Sequence, residues 1–428
     1  MTNTALQWTP KTNPLPPFGP PESFLAQDGE AAVAHHDGLV MESVFQPIFS
    51  VAQRRVVGHE ALLRAHRPNG DRVSPLEVFG AVRSDAEAVH IDRLTRFLHV
   101  RNFLRLGCET QWLFLNIDMR SIISRENHSP FLGRLLRHFA IQGGRLVVEI
   151  LEGAVADPAR LAEAVAYFRS RGCLTAIDDF GSGHSNFDRL WNLSPEFVKL
   201  DRSLIAQSIG NRRIRNLLPH LVALLHEIGA LVVMEGIETE DQGLIALDSG
   251  VDLMQGFLLG RPRSTPAEEE PAVLSTLCDR LRIAAASSQN PAQAVDVVFA
   301  AMITRLKDGL PLGDACAAFD GQEGVLRAYL LDRDGREIGS PYIPASRVAG
   351  TDPRYAPLAH ASGTEHLSRP YVRRALEQPG RMQRTRPYFS LADATLCVTL
   401  ACAYEIAGAT RVFCCDLVPY EGGGTPRP

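Results

Sequence analysis

The sequence predicts an α/β fold in two domains, a modified TIM-type (β/α)8 barrel followed by a smaller α+β domain. Three observations carry this expectation. Eight short apolar runs rich in β-formers alternate with segments of helical period between about residues 40 and 265, as a βα repeat requires. The composition changes at "GRPRSTPAEEEP" (260–271). Beyond it, hairpin signals dominate.

In chain order the runs are "SVFQPIFSV" (43–51), "RVVGHEALLR" (55–64), "QWLFLNID" (111–118), "RLVVEILE" (145–152), "CLTAIDDF" (173–180), "EFVKLD" (196–201), "ALVVMEGIE" (230–238) and "VDLMQGFLLG" (251–260). Eight strands in a segment of this length suit a barrel. Helical candidates lie between them, among them "PARLAEAVAYFRSRG" (158–172) and "NRRIRNLLPHLVALLHEIG" (211–229). The second closes on Gly229, as a helix C-terminus favours.

The domain boundaries follow from the same reading. Residues 1–35, with "NPLPPFGPPESF", are expected to form a disordered or loosely docked tail. The barrel takes 36–265 and a helical connector 266–289. An antiparallel α+β domain takes 290–420, with a turn at Asp334 and Gly335, strands in "TLCVTLACAY" and "TRVFCCDLV", and a disordered tail over 421–428.

Composition narrows the function. The 428 residues are 45% hydrophobic and 22% charged, with a formal charge of −5, so no polymeric nucleic acid is expected as a partner. No run reaches the roughly 20 apolar residues of a membrane span and no secretory signal is evident, so a cytoplasmic location is expected. The eight cysteines show no CxxC pair. They read as reduced, buried thiols, without a zinc site.

The chemistry lies at the ends of the runs, where Glu60, Asn116, Glu149, Asp178, Asp179, Lys199, Glu235 and Gln255 interrupt apolar sequence. In a (β/α)8 barrel these ends converge on the face that carries the active site. Hard oxygen ligands without His or Cys favour Mg²⁺ or Mn²⁺, and five carboxylates with one amide oxygen suit two octahedral ions. Two such ions about 3.5–4 Å apart are a usual apparatus for phosphodiester hydrolysis. The local rival is that Asp178 and Asp179 simply cap the helix after Gly183.

The motifs "HEALLR" (59–64), "DDFGSG" (178–183), "VKLD" (198–201), "EGIE" (235–238) and "QGFLLGRP" (255–262) resemble those of the EAL-domain cyclic di-GMP phosphodiesterases, in the family's order, over about residues 40–263. The resemblance implies hydrolysis of cyclic di-GMP to linear pGpG at two metal ions, commonly in a homodimer. By motif, Glu60, Asn116, Glu149 and Asp178 resemble the ligands of one metal, Asp178 the bridge and Asp179 a ligand of the other. Glu235 matches a glutamate that holds metal or activates water, Lys199 a lysine beside the attacking water, and Gln255 the residue that orients this group. Gln46, Leu62 and Arg64 resemble substrate-binding residues. Asp201 and Glu238 also fall in matching motifs, though Asp201 could instead cap the next helix. Glu152 matches a glutamate that anchors the loop of Phe180, Gly181, Ser182 and Gly183. That loop departs from the family pattern at His184, which stands in place of an aromatic phenol. A catalytically silent cyclic di-GMP receptor is the alternative.

The stretch at 366–404 is similar to Cache and PAS-like sensor domains. There, Arg369, Tyr371, Arg373, Arg374 and Tyr388 are candidates to line a pocket for an anionic small molecule of unknown identity, against the alternative of a solvated basic helix face.

Overall fold

The computed structural model describes residues 21–28, 31–108, 110–118, 120–121, 129–151, 158–183, 187–265, 272–287, 291–319, 324–345, 365–390 and 396–419. The chain divides into two compact units, Met1–Ala284 and Ala285–Pro428.

The first unit contains strands β1 (Leu25–Asp28), β2 (Ala31–His36), β3 (Leu39–Ser50), β4 (Arg55–His66), β5 (Arg72–Val73), β6 (Trp112–Asn116), β7 (Leu146–Leu151), β8 (Leu174–Phe180), β9 (Phe197–Leu200), β10 (Leu231–Met234) and β11 (Leu253–Met254). Its helices are α1 (Pro75–Gly80), α2 (Asp85–Leu104), α3 (Ser129–His138), α4 (Pro158–Ser170), α5 (Phe187–Leu193), α6 (Arg202–Gly210), α7 (Arg212–Glu227), α8 (Glu240–Asp248) and α9 (Ala272–Ser287). Strands β3, β11, β10, β9, β8, β7, β6 and β4 pair in that order, and β4 returns to β3, so the barrel is closed. All eight apolar runs supply a strand.

One strand departs from a uniform (β/α)8 repeat. β3 runs antiparallel to both β4 and β11, while the other barrel pairs are parallel. Only Val51–Arg54 separates β3 from β4, and a parallel crossover needs a dozen or more residues. A hairpin is therefore the available connection, and Arg54 turns it in the left-handed region at φ 52°.

One further expectation needs correction. Residues 1–20 lie outside the described residues, but the supposed tail is ordered nearer the barrel. β1 pairs antiparallel with β2, which pairs with β3. The cause is burial, since Ala32 and Ala34 pack with Met41, Leu63, Ile91 and Leu94. The segment expected as a helical connector does contain a helix, α9, and its Leu274 and Leu277 join the barrel's main core. Among the described residues, no helix is long and apolar enough to cross a membrane.

The second unit is an antiparallel sheet of β12 (Val325–Leu331), β13 (Glu337–Tyr342), β14 (Gln383–Arg384), β15 (Tyr388–Phe389), β16 (Leu396–Ile406) and β17 (Ala409–Leu417), with helices α10 (Pro291–Lys307), α11 (Leu312–Cys316) and α12 (Pro370–Glu377). Asp334 and Gly335 do lie in the turn of the β12–β13 hairpin. Ala407 and Gly408, both at positive φ, turn β16 into β17. α10 covers one sheet face, with Phe299 stacked on Phe413 at 4.9 Å between centroids. α12 covers the other through Tyr371, Val372 and Ala375. Of the five candidate pocket residues, Tyr371 is buried and Arg369 and Tyr388 are half-buried, whereas Arg373 and Arg374 are exposed on α12. All eight cysteines are free thiols, and seven are buried.

Candidate active site

Side chains two residues apart on a strand face the same way, and this brings the polar residues together. A plug of Ile48, Val57, Phe114, Val147, Ala176, Phe197, Val233 and Leu253 fills the barrel, one residue from each strand. Two positions beyond the plug, toward the C-terminal ends of the parallel strands, stand Asn116, Glu149, Asp178, Lys199, Glu235 and Gln255. On antiparallel β3 the same step runs backward, from Ile48 to Gln46. Gln46 lies opposite Glu60 in register.

Lys199 occupies the centre of this set and is 1% exposed. Its Nζ lies 2.6 Å from Glu149 Oε1, 2.6 Å from Glu235 Oε1, 3.1 Å from Asp178 Oδ1 and 3.4 Å from Glu60 Oε2. Glu60 is also held by Gln255 Nε2, which donates to Oε2 at 2.7 Å, and by Asn116 Nδ2, which donates to Oε1 at 3.2 Å. Burial alone would depress the Lys199 ammonium, but the four surrounding carboxylates together keep it well above the ordinary lysine range. The carboxyls are raised too, here toward the neutral form. Burial, reinforced by neighbouring carboxylates, pushes Glu149 and Asp178 upward, Glu235 to about 8 and Asp179 to about 6, despite the opposing pull of Lys199.

Asp178 and Asp179 share this face because their strand is irregular. Adjacent side chains of a regular strand point to opposite faces, but the β8–β9 register shifts between Ile177 and Phe180. Asp179 sits there in the left-handed region at φ 57°, a conformation that Asp tolerates better than most residues. As a result Asp178, Asp179 and Glu235 present oxygens that all lie within 4.8 Å of one another.

The donor set fits divalent cations. One ammonium faces four carboxylates, which leaves a large negative excess when they ionise. Glu149 Oε2 and Gln255 Oε1 are buried without a hydrogen-bond partner, a condition that costs free energy unless something positive or donating meets them. Glu60, Asn116, Glu149, Asp178, Asp179 and Glu235 offer the hard oxygen donors that Mg²⁺ and Mn²⁺ prefer.

The remaining predicted residues lie around this cluster. Gln46 Nε2 donates to Gly260 O at 3.3 Å. Leu62 is half-buried, and exposed Arg64 donates from Nη1 to Leu63 O at 2.8 Å. Asp201 caps α6, its carboxylate accepting from Ser203 N at 3.0 Å. Glu238 is exposed just before α8. In the loop, Phe180 is buried, Ser182 N donates to Asp179 O at 3.1 Å, and Gly181 and Gly183 have positive φ. A Cβ on Gly181 would also approach Leu204 Cδ1 to 2.6 Å. Glu152 and His184 lie outside the described residues.

Sequence reasoning passed over Asp92. This buried residue of α2 pairs with Arg96 and accepts from Asp118 N at 3.0 Å and from Ser121 Oγ at 2.6 Å, fixing the segment that follows Asn116. No clear signal marked it, because α2 also carries Asp85, Glu87, Arg93, Arg96 and Arg101.

Comparison with known proteins agrees with this architecture. Residues 32–262 match the EAL domain. The cyclic di-GMP phosphodiesterase RocR of Pseudomonas aeruginosa is 33% identical over 231 residues, which are 52% of this chain and 57% of RocR. The probable cyclic di-GMP phosphodiesterase PdeB of Escherichia coli is 27% identical over 225 residues, 51% of this chain and 42% of PdeB. The chain thus spans about half the length of these curated relatives. The crystal structure of the Bacillus subtilis YkuI protein, with an EAL domain, in complex with substrate c-di-GMP and calcium, is similar in fold at TM-score 0.71 and 21% identity, covering 89% of this chain and 97% of that one. The chain belongs to the EAL domain family.

Proposed function

We propose that the barrel hydrolyses cyclic di-GMP to linear 5′-pGpG at two divalent cations, Mg²⁺ or Mn²⁺. The convergence of Asp178, Asp179 and Glu235 oxygens beside the buried Lys199 ammonium carries this reading. The names of RocR and PdeB, and the ligand of the YkuI complex, support the choice of substrate.

Glu60, Asn116, Glu149 and Asp178 would hold one cation, with Asp178 shared and Asp179 holding the other. Glu235 would hold a cation or take the proton of the attacking water. When bound, the cations supply Lewis acidity at the phosphodiester. Lys199 adds a fixed positive charge for the negative charge that develops on the phosphate, and it orients Glu149 and Glu235. Gln255 and Asn116 orient Glu60 through their amide nitrogens, which leaves the Asn116 carbonyl oxygen for a cation. Glu152 would anchor the loop of Phe180, Gly181, Ser182 and Gly183, as the family resemblance implies.

At the rim, Gln46, Leu62, Arg64 and Glu238 are assigned to substrate, with the exposed Arg64 guanidinium suited to a phosphate oxygen. Asp201 already caps α6, so we assign it to positioning that helix.

Incubating the purified chain with cyclic di-GMP and Mn²⁺ or Mg²⁺, then separating products, tests the reading. Formation of pGpG is expected. Retained ligand binding without pGpG would identify a silent receptor instead. We further read the second unit as a PAS/Cache-like regulatory module and the active form as a cytoplasmic homodimer. Sedimentation and turnover of a chain lacking residues 290–428 test both, and unchanged values would count against this regulation.

A further inference from the structure

We propose that Asp92 of α2 is a positioning residue for Asn116 and through it sets the affinity of the first cation. This role rests on the two-cation reading of the barrel and deepens it by adding a residue that touches neither cation nor substrate.

Of the four ligands assigned to that cation, Asn116 is the least secured. Glu60, Glu149 and Asp178 are buried, whereas Asn116 is exposed at the last position of β6. Among the described residues its side chain makes one hydrogen bond, from Nδ2 to Glu60 Oε1 at 3.2 Å. The pairing of β6 with β7 also ends here, where Asn116 lies opposite Glu149. Where the Asn116 carbonyl oxygen stands therefore depends on how the backbone is held beyond the strand.

Asp92 holds that backbone. Its Oδ1 accepts from Asp118 N at 3.0 Å and its Oδ2 from Ser121 Oγ at 2.6 Å, while Ser121 N donates to Asp118 O at 2.9 Å. One carboxylate thus clamps both ends of the turn that leads the chain away from Asn116. The clamp has firm support, since Asp92 is 2% exposed and pairs with Arg96, whose guanidinium lies 5.0 Å from the Phe131 ring centroid. Arg120 adds a second tie. It donates from Nε and Nη2 to the Asp118 carboxylate at 2.9 and 2.8 Å, and from Nη2 to Phe79 O at 3.3 Å.

Stability alone does not call for this arrangement. Asp92 could neutralise Arg96 without touching the loop, and a buried ion pair is often no better for stability than apolar residues of the same volume. Instead, both of its oxygens accept from the segment that follows Asn116. Groups that orient a metal ligand from behind typically govern metal affinity by about 10- to 100-fold.

A double-mutant cycle on the full chain tests the role, read by calorimetric Mn²⁺ titration with melting temperature measured alongside. Asp92→Asn should weaken Mn²⁺ binding roughly tenfold. In an Asn116→Ala background the same substitution should weaken it by less than about twofold, because the ligand it positions is gone, while its drop in melting temperature persists. Ser121→Ala removes one contact and keeps the Arg96 pair, so it should weaken Mn²⁺ binding roughly threefold, and it carries the test if Asp92→Asn does not fold. Leu98→Ala, in the apolar packing of the same helix, should lower the melting temperature and leave Mn²⁺ affinity within about twofold. Unchanged Mn²⁺ affinity in Asp92→Asn, equal losses from it in both backgrounds, or an equal loss in Leu98→Ala would each overturn the proposal. If Asn116→Ala weakens binding and Asp92→Asn does not, the positioning role falls alone. If Asn116→Ala itself leaves Mn²⁺ affinity unchanged, the cation assignment falls and the positioning role with it.

Discussion

Lys199 Nζ stands 2.6 Å from Glu235 Oε1, a buried ion pair between neighbouring barrel strands. Because three further carboxylates contact the same ammonium, Lys199→Met should have two separable effects. Without cations, removing the positive partner that these carboxylates have among the described residues should cost roughly 3–5 kcal/mol of stability. Mn²⁺ should restore much of the melting temperature, yet turnover should remain about 10²- to 10³-fold low, the usual loss when one fixed electrostatic stabiliser is removed. Wild-type turnover in this variant would exclude Lys199 from the chemistry.

The two aspartates should respond differently in folding and alike in activity. Asn is among the residues that best tolerate the left-handed region, so Asp179→Asn should keep the φ 57° turn and unfold within about 0.5 kcal/mol of wild type. Asp178→Asn removes one of the carboxylates around Lys199, without backbone consequences. Calorimetry with Mn²⁺ should show weakened binding in both, and product analysis should show hydrolysis abolished in Asp178→Asn. Persistent hydrolysis by Asp178→Asn would exclude it as the shared ligand.

Strand periodicity explains why much of this site was legible before the fold. Asn116, Glu149, Lys199 and Gln255 each lie two residues beyond an apolar plug residue, so the chain text itself marks them as inward-facing. The irregular register that turns Asp179 beside Asp178 leaves no such mark, because it arises from pairing between β8 and β9. Likewise, "AAVAHH" reads as neutral text until Met41 and Leu63 close over Ala32 and Ala34. Asp201 matched a binding motif and a capping position equally well, and the Ser203 contact shows the capping.

Cation identity should separate binding from turnover. Ca²⁺ accepts the same hard oxygens but prefers longer, less regular coordination than Mg²⁺. It should therefore stabilise the chain against heat and support substrate binding while giving at least about tenfold less pGpG than Mn²⁺ or Mg²⁺. Equal product with Ca²⁺ would argue against a geometrically demanding two-cation site.

Acid should destabilise the barrel unit through α2. Burial holds the His99 imidazole down to about 3, and burial with nearby His36 and Arg93 holds His90 at about 4. Both folded values lie below the unfolded value of 6.5, so the unfolded chain binds more protons between them. Their stabilising contribution is present above pH 6.5 and is lost as pH falls toward 4 and 3. At pH 5 each should cost about 2 kcal/mol relative to pH 8. Denaturant unfolding at the two pH values measures the difference, and His99→Gln should remove part of the slope. A slope unchanged in that variant would exclude His99 as a source.

Gly256 follows Gln255 directly, and its environment leaves no room for a side chain. A Cβ there would lie 2.1 Å from Ile237 O and 2.3 Å from Ile237 N. Both atoms belong to the backbone beyond Glu235, where Ile237 N donates to Gln255 O at 3.1 Å. Neither can rotate away, so Gly256→Ala must separate the segment carrying Gln255 from the segment carrying Glu235. We expect a stability loss of about 3 kcal/mol, at the upper end for overpacking. The 2.7 Å contact from Gln255 to Glu60 should loosen with it, lowering Mn²⁺ affinity as well as stability. By contrast, a Cβ on Gly250 meets nothing within 4 Å, but that glycine has φ 78°, so Gly250→Ala should cost only the left-handed backbone penalty of about 1–2 kcal/mol. Comparing the two variants by melting temperature and Mn²⁺ titration separates a local backbone cost from displacement of the site. Equal Mn²⁺ affinity in both would show that the Gly256 packing does not position Gln255.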